Sequence, residues 1–309
     1  MTLLQQQNSP AVTAIAQILP AGATLASIAP CADDIRHPPK GAGATTTCGG
    51  LTLAWNSASE PWHFIDEPVS ENPASASDMQ KYCAGGNCII GAFHNQLQIL
   101  TGKAPGDKAT ALMFVVHLVG DAHQPLHCAT QLVLDSSGNP QPDPKRPGKM
   151  LSDGGGNAKA VSIPGTTPKY PLEMHSLWDQ DMQAADVPGI DLSGASWQSL
   201  DPGTTPDAVV AQAAFESFGI ARTVIYPNYT DSNAANNPDA MPLASDGVTR
   251  IVTPKYQSDM RGLAELRLQL AAVRLAAILD NALAGAPQTG SAPAQSLGSG
   301  KGAAVRTPW

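Results

Sequence analysis

The stretch ALMFVVHLVGDAHQPLH, residues 111–127, decides the fold. Its periodicity predicts a helix over 108–120, and on a helix residues four apart share a face, so His117 and Asp121 converge on one point. Pro125 removes the hydrogen bond to the carbonyl of Asp121, which kinks or ends the helix and re-aims His127. The chain has only seven His, and three of them fall here, at 117, 123 and 127.

The same spacing recurs in MHSLWDQD, residues 174–181, where His175 and Asp179 share a helix face beside the apolar Leu177 and Trp178. One such pair is more often a local hydrogen bond than a metal site. Two pairs together with His127 look like a metal centre assembled inside a helical bundle, because imidazole nitrogen and carboxylate oxygen suit zinc. Other conspicuous residues read plainly. His94 belongs to a helix surface or the core, His37 caps a turn before Pro38, and Trp178 is core packing. His123, on a different helix face from Asp121, supports ligands rather than binding the ion.

Outward from these motifs, helical spacing appears at 10–19, with Ser9 as N-cap and Pro10 at the first helical position, and again at 87–100, 171–183 and 206–218. The longest pattern is 257–284, where Leu263, Leu266, Leu270, Val273, Ile278 and Leu279 form an apolar stripe opposite Arg261, Glu265, Arg267, Arg274 and Asp280. Short extended pieces are expected at 62–65 and 160–163. The fold class is therefore mainly α, a single-domain helical bundle with long loops at 131–159 and 220–255. Residues 1–285 form the domain, and 286–309 has the composition of a disordered tail.

A chain of 309 residues with 42% hydrophobic content can bury a large core, while 28 Gly and 27 Pro imply many turns. The formal charge of −8 excludes the broad basic surface of most nucleic-acid readers. An anionic substrate then needs a local positive centre, which bound metal supplies. No segment is expected to span a membrane. Among five cysteines, Cys83 and Cys88 in YCAGGNC lie close enough for a Gly-rich turn to bridge them, which favours an oxidising compartment, although the N-terminus carries no signal-peptide pattern.

Taken in order, CADDIR, WHFID, the Cys83 to Cys88 segment, HLVGDAHQPLH, GGN at 155–157, MHSLWD and the final RLAAILDNAL helix resemble the zinc-dependent single-strand nucleases of the S1/P1 type, relatives of the zinc phospholipases C. The resemblance runs from about residue 9 to 284. It implies a phospholipase C/P1 nuclease-like fold in which Asp33, His63, His117 and Asp121 surround one zinc, Asp121 reaches a second ion, and His127, His175 and Asp179 hold another. It favours Asp33 over the neighbouring Asp34. It also implies that Phe64 stacks on a nucleobase, Asp66 hydrogen-bonds it, Asn157 contacts substrate, and Asp33, Asp121 and Asn157 are catalytic. The implied reaction cleaves P–O3′ bonds of single-stranded DNA or RNA to 5′-nucleotides, with 3′-nucleotidase activity beside it. A monomer, secreted or periplasmic, is expected.

Two departures qualify that expectation. Family members begin with a Trp and carry a His five residues later, and both ligate zinc; here Leu4 and Ser9 fall near those positions, and Cys31 replaces a usual Trp. The seven ligands present predict two zinc ions where the family has three. The competing readings are a phospholipase C-like phosphodiesterase and a catalytically weak metal-binding relative.

Overall fold

A computed structural model describes residues 1–166, 171–181, 192, 195, 197–230, 237 and 239–284. The expected tail 286–309 lies outside the described residues. The chain opens with four short helices, α1 (Thr2–Gln6), α2 (Ala11–Ile18), α3 (Leu25–Ile28) and α4 (Cys31–Asp34), followed by a hairpin of β1 (Thr45–Cys48) and β2 (Leu51–Ala54). The hairpin turns at Gly49 and Gly50, both at positive φ, and a Cβ on Gly49 would meet the Ser27 carbonyl oxygen at 2.3 Å. A Cys31–Cys48 disulfide ties α4 to β1.

Helices α5 (Ile89–Leu100) and α6 (Lys108–Asp121) pack against each other across the short 101–107 connection. Cys83 and Cys88 are disulfide-bonded at the start of α5, as the sequence predicts. Asp107 caps α6, its carboxylate accepting from the Thr110 N–H at 2.7 Å. Every residue from Ala111 to Val116 is buried, so α6 is the central helix of the bundle. It ends before Pro125, and Pro125–Cys128 forms a 3₁₀ turn.

Beyond this turn come β3 (Ala160–Ser162), β4 (Leu172–Glu173), α7 (Met174–Ser176) continuing as a π-helical turn over Leu177–Asp181, α8 (Pro206–Ile220), α9 (Tyr226–Thr230), β5 (Arg250–Ile251) and α10 (Pro254–Leu283). Strand β3 lies between β4, antiparallel, and β5, parallel. Thr205 and Thr253 cap α8 and α10, each followed by Pro at the first position.

Several expectations are corrected. Residues 62–65 are not a strand; a 3₁₀ helix covers Ser57–His63 and only Phe64 is extended. The expected helix over 171–183 yields its start to β4, and 182–183 lie outside the described residues. The loop expected from 220 is instead helical through Thr230, since Ala221 to Ile225 continue α8 as a π turn into α9. This Pro206–Thr230 run is long and apolar enough to span a bilayer by length and composition alone. Val210, Ala213, Ala214, Phe218, Ala221 and Ile225 nevertheless bury its apolar side inside the bundle.

In α10 the expected stripe holds at Ile278 and Leu279, both fully buried, and departs from the pattern in the N-terminal half of the helix. Leu266 is 41% exposed, while Met260, Ala264, Arg267 and Ala271 face inward. Small alanines let α10 approach its neighbours closely. Arg267 is tolerated at 4% exposure because its guanidinium donates to the carbonyls of His123 and Ala213, to Ser217 Oγ and to Glu216.

Candidate active site

The ends of α4, the Ser57–His63 turn, α6, the Pro125–Cys128 turn and α7 open onto one cavity of about 680 Å³. It is lined by Asp33, His63, His117, Asp121, His127, His175 and Asp179, so all seven expected ligands meet there. Phe64, Asp66 and Asn157 line it too.

Local structure explains the convergence. His117 and Asp121 sit one turn apart on α6, with Asp121 Oδ2 3.0 Å from His117 Nε2. His63 ends the 3₁₀ turn and brings its Nδ1 within 3.0 Å of the same oxygen and 2.9 Å of His117 Nε2. Asp33 Oδ1 completes the group at 3.4 Å from His63 and 3.5 Å from His117. A second group forms where His127 Nε2 and His175 Nε2 lie 3.4 and 3.3 Å from the two oxygens of Asp179. The imidazoles of His127 and His175 stack, with centroids 4.9 Å apart. Asp121 Oδ1, 3.6 Å from His127 Nδ1, faces the second group, so this carboxylate stands between the two.

These donor sets fit zinc. Carbonyl oxygens only accept, so contacts of His117 Nδ1 with Ala29 O at 2.7 Å, His127 Nδ1 with His63 O at 2.8 Å and His175 Nδ1 with Gly155 O at 2.8 Å place the proton on Nδ1 in each ring. In the neutral ring each Nε2 then presents a lone pair towards carboxylate oxygens, an arrangement that calls for a metal ion or a proton between them. His127 Nε2 is buried without any hydrogen-bond partner. Ligand bonds of about 2.0–2.1 Å around tetrahedral zinc separate ligand atoms by roughly 3.3–3.4 Å, near the spacings of both groups.

The electrostatics point the same way. Burial alone would raise the Asp121 carboxyl, but the imidazoles of His117 and His127 outweigh it and hold the group far below the usual carboxylate range. Burial pulls His127 down, yet the carboxylates of Asp121 and Asp179 raise it to about 9. Both clusters therefore attract positive charge.

Glycine is required beside the second group. Gly155 has φ +64°, and a Cβ there would meet the Leu126 carbonyl oxygen at 2.4 Å. Only glycine lets its carbonyl reach His175. Asn157 follows, its amide donating to Gly154 O at 2.7 Å.

Neighbouring candidates are set apart. Asp34 lies 3.2 Å from the Cys48 sulfur, and neither it nor the exposed His37 lines the cavity. Cys31, Asp34 and Cys48 cluster closely, but the disulfide removes both thiolates. Ser9, near the position of the absent His, donates to Asp280 at 2.6 Å and does not line the cavity. His123 is buried elsewhere, donating to Val119 O and meeting Arg274 through Nε2, so it does not support the ligands directly. His94 pairs with Asp207 on the surface, and Trp178 is core, donating to Tyr256 Oη.

Arg36, Gln124 and Arg146 are among the residues that reach the cavity without having been singled out. Arg36 pairs with Asp33 at 2.7 Å, one turn along in CADDIR, a spacing the sequence does display. Gln124 donates to Asp179 at 2.8 Å across 55 positions, which no local pattern reveals. Arg146 enters from the loop expected at 131–159.

Nuclease S1 of Aspergillus oryzae (strain ATCC 42149 / RIB 40) is 31% identical over 138 residues, 44% of this chain and 39% of its own length. Nuclease P1 of Penicillium citrinum and nuclease PA3 of a Penicillium species are each 27% identical over 263 residues, 82% of both chains compared. The family model described as S1/P1 nuclease matches residues 2–284, and it thus takes in every helix from α1 to α10 and every residue that lines the cavity. The chain belongs to the S1/P1 nuclease family, whose members are zinc-dependent hydrolases of phosphodiester bonds.

Proposed function

We propose that this protein is an endonuclease that hydrolyses the P–O3′ bonds of single-stranded DNA and RNA to 5′-nucleotides, and removes 3′-phosphates as a related activity. The observation that carries the reading is two His/Asp donor sets meeting at Asp121 on the wall of a cavity that also holds Phe64, Asp66 and Asn157.

Asp33, His63, His117 and Asp121 would hold one zinc, and His127, His175 and Asp179 a second. When bound there, zinc supplies Lewis acidity that stabilises phosphate charge and lets water react near neutral pH. Among the described residues no Ser, Thr or Cys lines the cavity, so no hydroxyl or thiol nucleophile competes with that chemistry. Arg36 holds the Asp33 carboxylate in place, Gln124 does the same for Asp179, and Asn157, which lines the same cavity, would turn its amide to a phosphate oxygen.

Phe64 accepts any base by stacking, but only a base already outside a duplex can reach its ring. Asp66, whose carboxyl is pushed up by burial, offers a polar edge to that base. The protein acts as a monomer, and two disulfides favour a secreted or periplasmic setting.

The test is a substrate panel: single-stranded DNA, the same sequence as duplex, RNA, a 3′-mononucleotide and phosphatidylcholine, each with zinc and with chelator. Cleavage of both single strands, lost with chelator and weak on duplex, is expected. Phosphatidylcholine turnover without strand cleavage would reverse the reading, and no turnover at all with zinc bound would make the protein a catalytically weak relative.

A further inference from the structure

An acidic protein that takes a polyanion into a carboxylate-lined cavity must offset the charge somewhere beyond the metal ligands. Three of its 18 Lys and Arg fall within residues 145–149, in the stretch DPKRPGK. This stretch is the tip of an excursion between Gln131 and Asp153 that has a definite architecture. Its extended segments close on one another in a ring: Val133 N–H donates to Leu151 O at 2.9 Å, Leu151 N–H to Gln141 O at 2.7 Å, and Gln141 N–H to Val133 O at 2.9 Å.

Both ends of the excursion are fixed. Its base closes through Asp153 N–H on Gln131 O at 2.9 Å, while Asp153 Oδ1 accepts from Gln131 N–H, Thr130 Oγ1 and Tyr226 Oη. At the tip, Asp143 accepts from the Lys145 N–H at 2.8 Å and from Arg146 Nε at 2.6 Å. Arg146 is thus held by Nε alone, which leaves its two terminal nitrogens to point elsewhere. It lines the same cavity as Phe64, Asp66 and Asn157.

We propose that the 131–153 excursion is a substrate arm, in which Arg146, at the cavity, and its neighbour Lys149 bind phosphates of the single strand being cut. The inference rests on the nuclease reading given above. A guanidinium suits this task because its planar fork meets two phosphate oxygens at once. Arg146 lines the cavity beside Asp66, and the charges of Arg146 and Lys149 both act on the Asp66 carboxyl against the effect of its burial. The arm also exposes Val133, Leu134 and Met150. Apolar residues beside cations also suit a lipid surface, but Arg146 at the cavity itself favours the strand.

The test compares wild type, Arg146→Ala/Lys149→Ala, Arg146→Lys, and Lys103→Ala/Lys108→Ala, whose lysines line a separate cavity and remove the same net charge. Each is assayed at several salt concentrations on a twenty-nucleotide oligothymidylate and on bis(4-nitrophenyl) phosphate, with zinc content measured for every sample. The arm variant is expected to lose tenfold or more in kcat/KM on the oligonucleotide relative to the small ester. Its slope of log kcat/KM against log salt should flatten by about 1, as expected for the loss of one or two phosphate contacts on a single strand. Arg146→Lys should keep the wild-type slope, and the Lys103/Lys108 variant should behave as wild type.

Equal losses on both substrates, an unchanged slope, or the same effect from Lys103/Lys108 would overturn the proposal. So would lost binding to phosphatidylcholine and phosphatidylglycerol vesicles with strand cleavage intact. Wild type that cleaves the small ester but not the oligonucleotide would overturn the nuclease reading and the arm together; wild type that cleaves the oligonucleotide, matched by the arm variant, overturns the arm alone.

Discussion

Asp121 presents one oxygen to His63 and His117 and the other towards His127, so its loss opens both donor sets at once. Asp121→Ala, and likewise His117→Ala, is expected to abolish hydrolysis and zinc retention together; full zinc content in an inactive variant would contradict the assignment. Asn157 touches no candidate ligand side chain and bonds only within its own turn. Asn157→Ala should keep its zinc and lose turnover, with a fall in zinc content as the contrary result. Away from the site, Glu67 is fully buried with neither carboxylate oxygen hydrogen-bonded, and burial pushes its carboxyl up to about 7 from 4.5. The folded state then binds the extra proton between those values, so this contribution is present below pH 4.5 and lost as pH rises through 7. Glu67→Gln should raise the Tm at pH 8 and leave it little changed at pH 4.5; an equal effect at both would show that Glu67 does not titrate in this window. The ligand-type residues were legible in the sequence because the helical repeat places His117 with Asp121 and His175 with Asp179. Gln124 and Arg146 were not, since their positions depend on the Pro125–Cys128 turn and on the ring of the 131–153 excursion.

At the scale of the elements, α6 is positioned by apolar contacts on the faces away from the cavity, and α8 and α10 lock it from behind through one charged cluster. Glu216 accepts from Arg267 at 2.8 Å and from both terminal nitrogens of Arg274, while Arg267 reaches the His123 carbonyl just beyond α6. Removing Arg267 leaves Glu216 paired with Arg274, but it strips the buried His123 and Ala213 carbonyls and Ser217 Oγ of their donor and empties the space of a buried side chain. Arg267→Ala is expected to cost about 3–5 kcal/mol in urea unfolding; a loss below about 1 kcal/mol, the range of exposed ion pairs, would contradict the role given to the cluster. This element also shows where periodicity misleads. A repeat of leucines drew the core stripe through Leu263, Leu266 and Leu270, but Ala264 and Ala271 are the buried positions and Arg267 satisfies the carbonyls of His123 and Ala213. Hydrophobicity records what a residue prefers and not which neighbours require its hydrogen bonds. The end of α8 was missed for a related reason: Ala221 to Ile225 keep the chain helical through a π turn, although 220–255 as a whole has the composition of a loop.

For the whole molecule, a formal charge of −8 and a cavity walled by carboxylates make cations the condition for taking up a phosphate polyanion. On the proposed reading the seven candidate ligands would hold two zinc ions, while Ser9 and α1 are engaged with Asp280 and Trp197 instead of the cavity. Mainly α class, family and cavity all followed from short motifs whose spacing survives in the fold, whereas the cationic arm depended on contacts among distant loop residues. The most direct test strips the protein of metal with chelator and returns zinc stepwise while cleavage of a single-stranded oligonucleotide is followed. Activity should be absent at the start, rise with added zinc and saturate at two ions per chain. Cleavage by the stripped protein, or a plateau reached at one ion or only at three, would contradict the account.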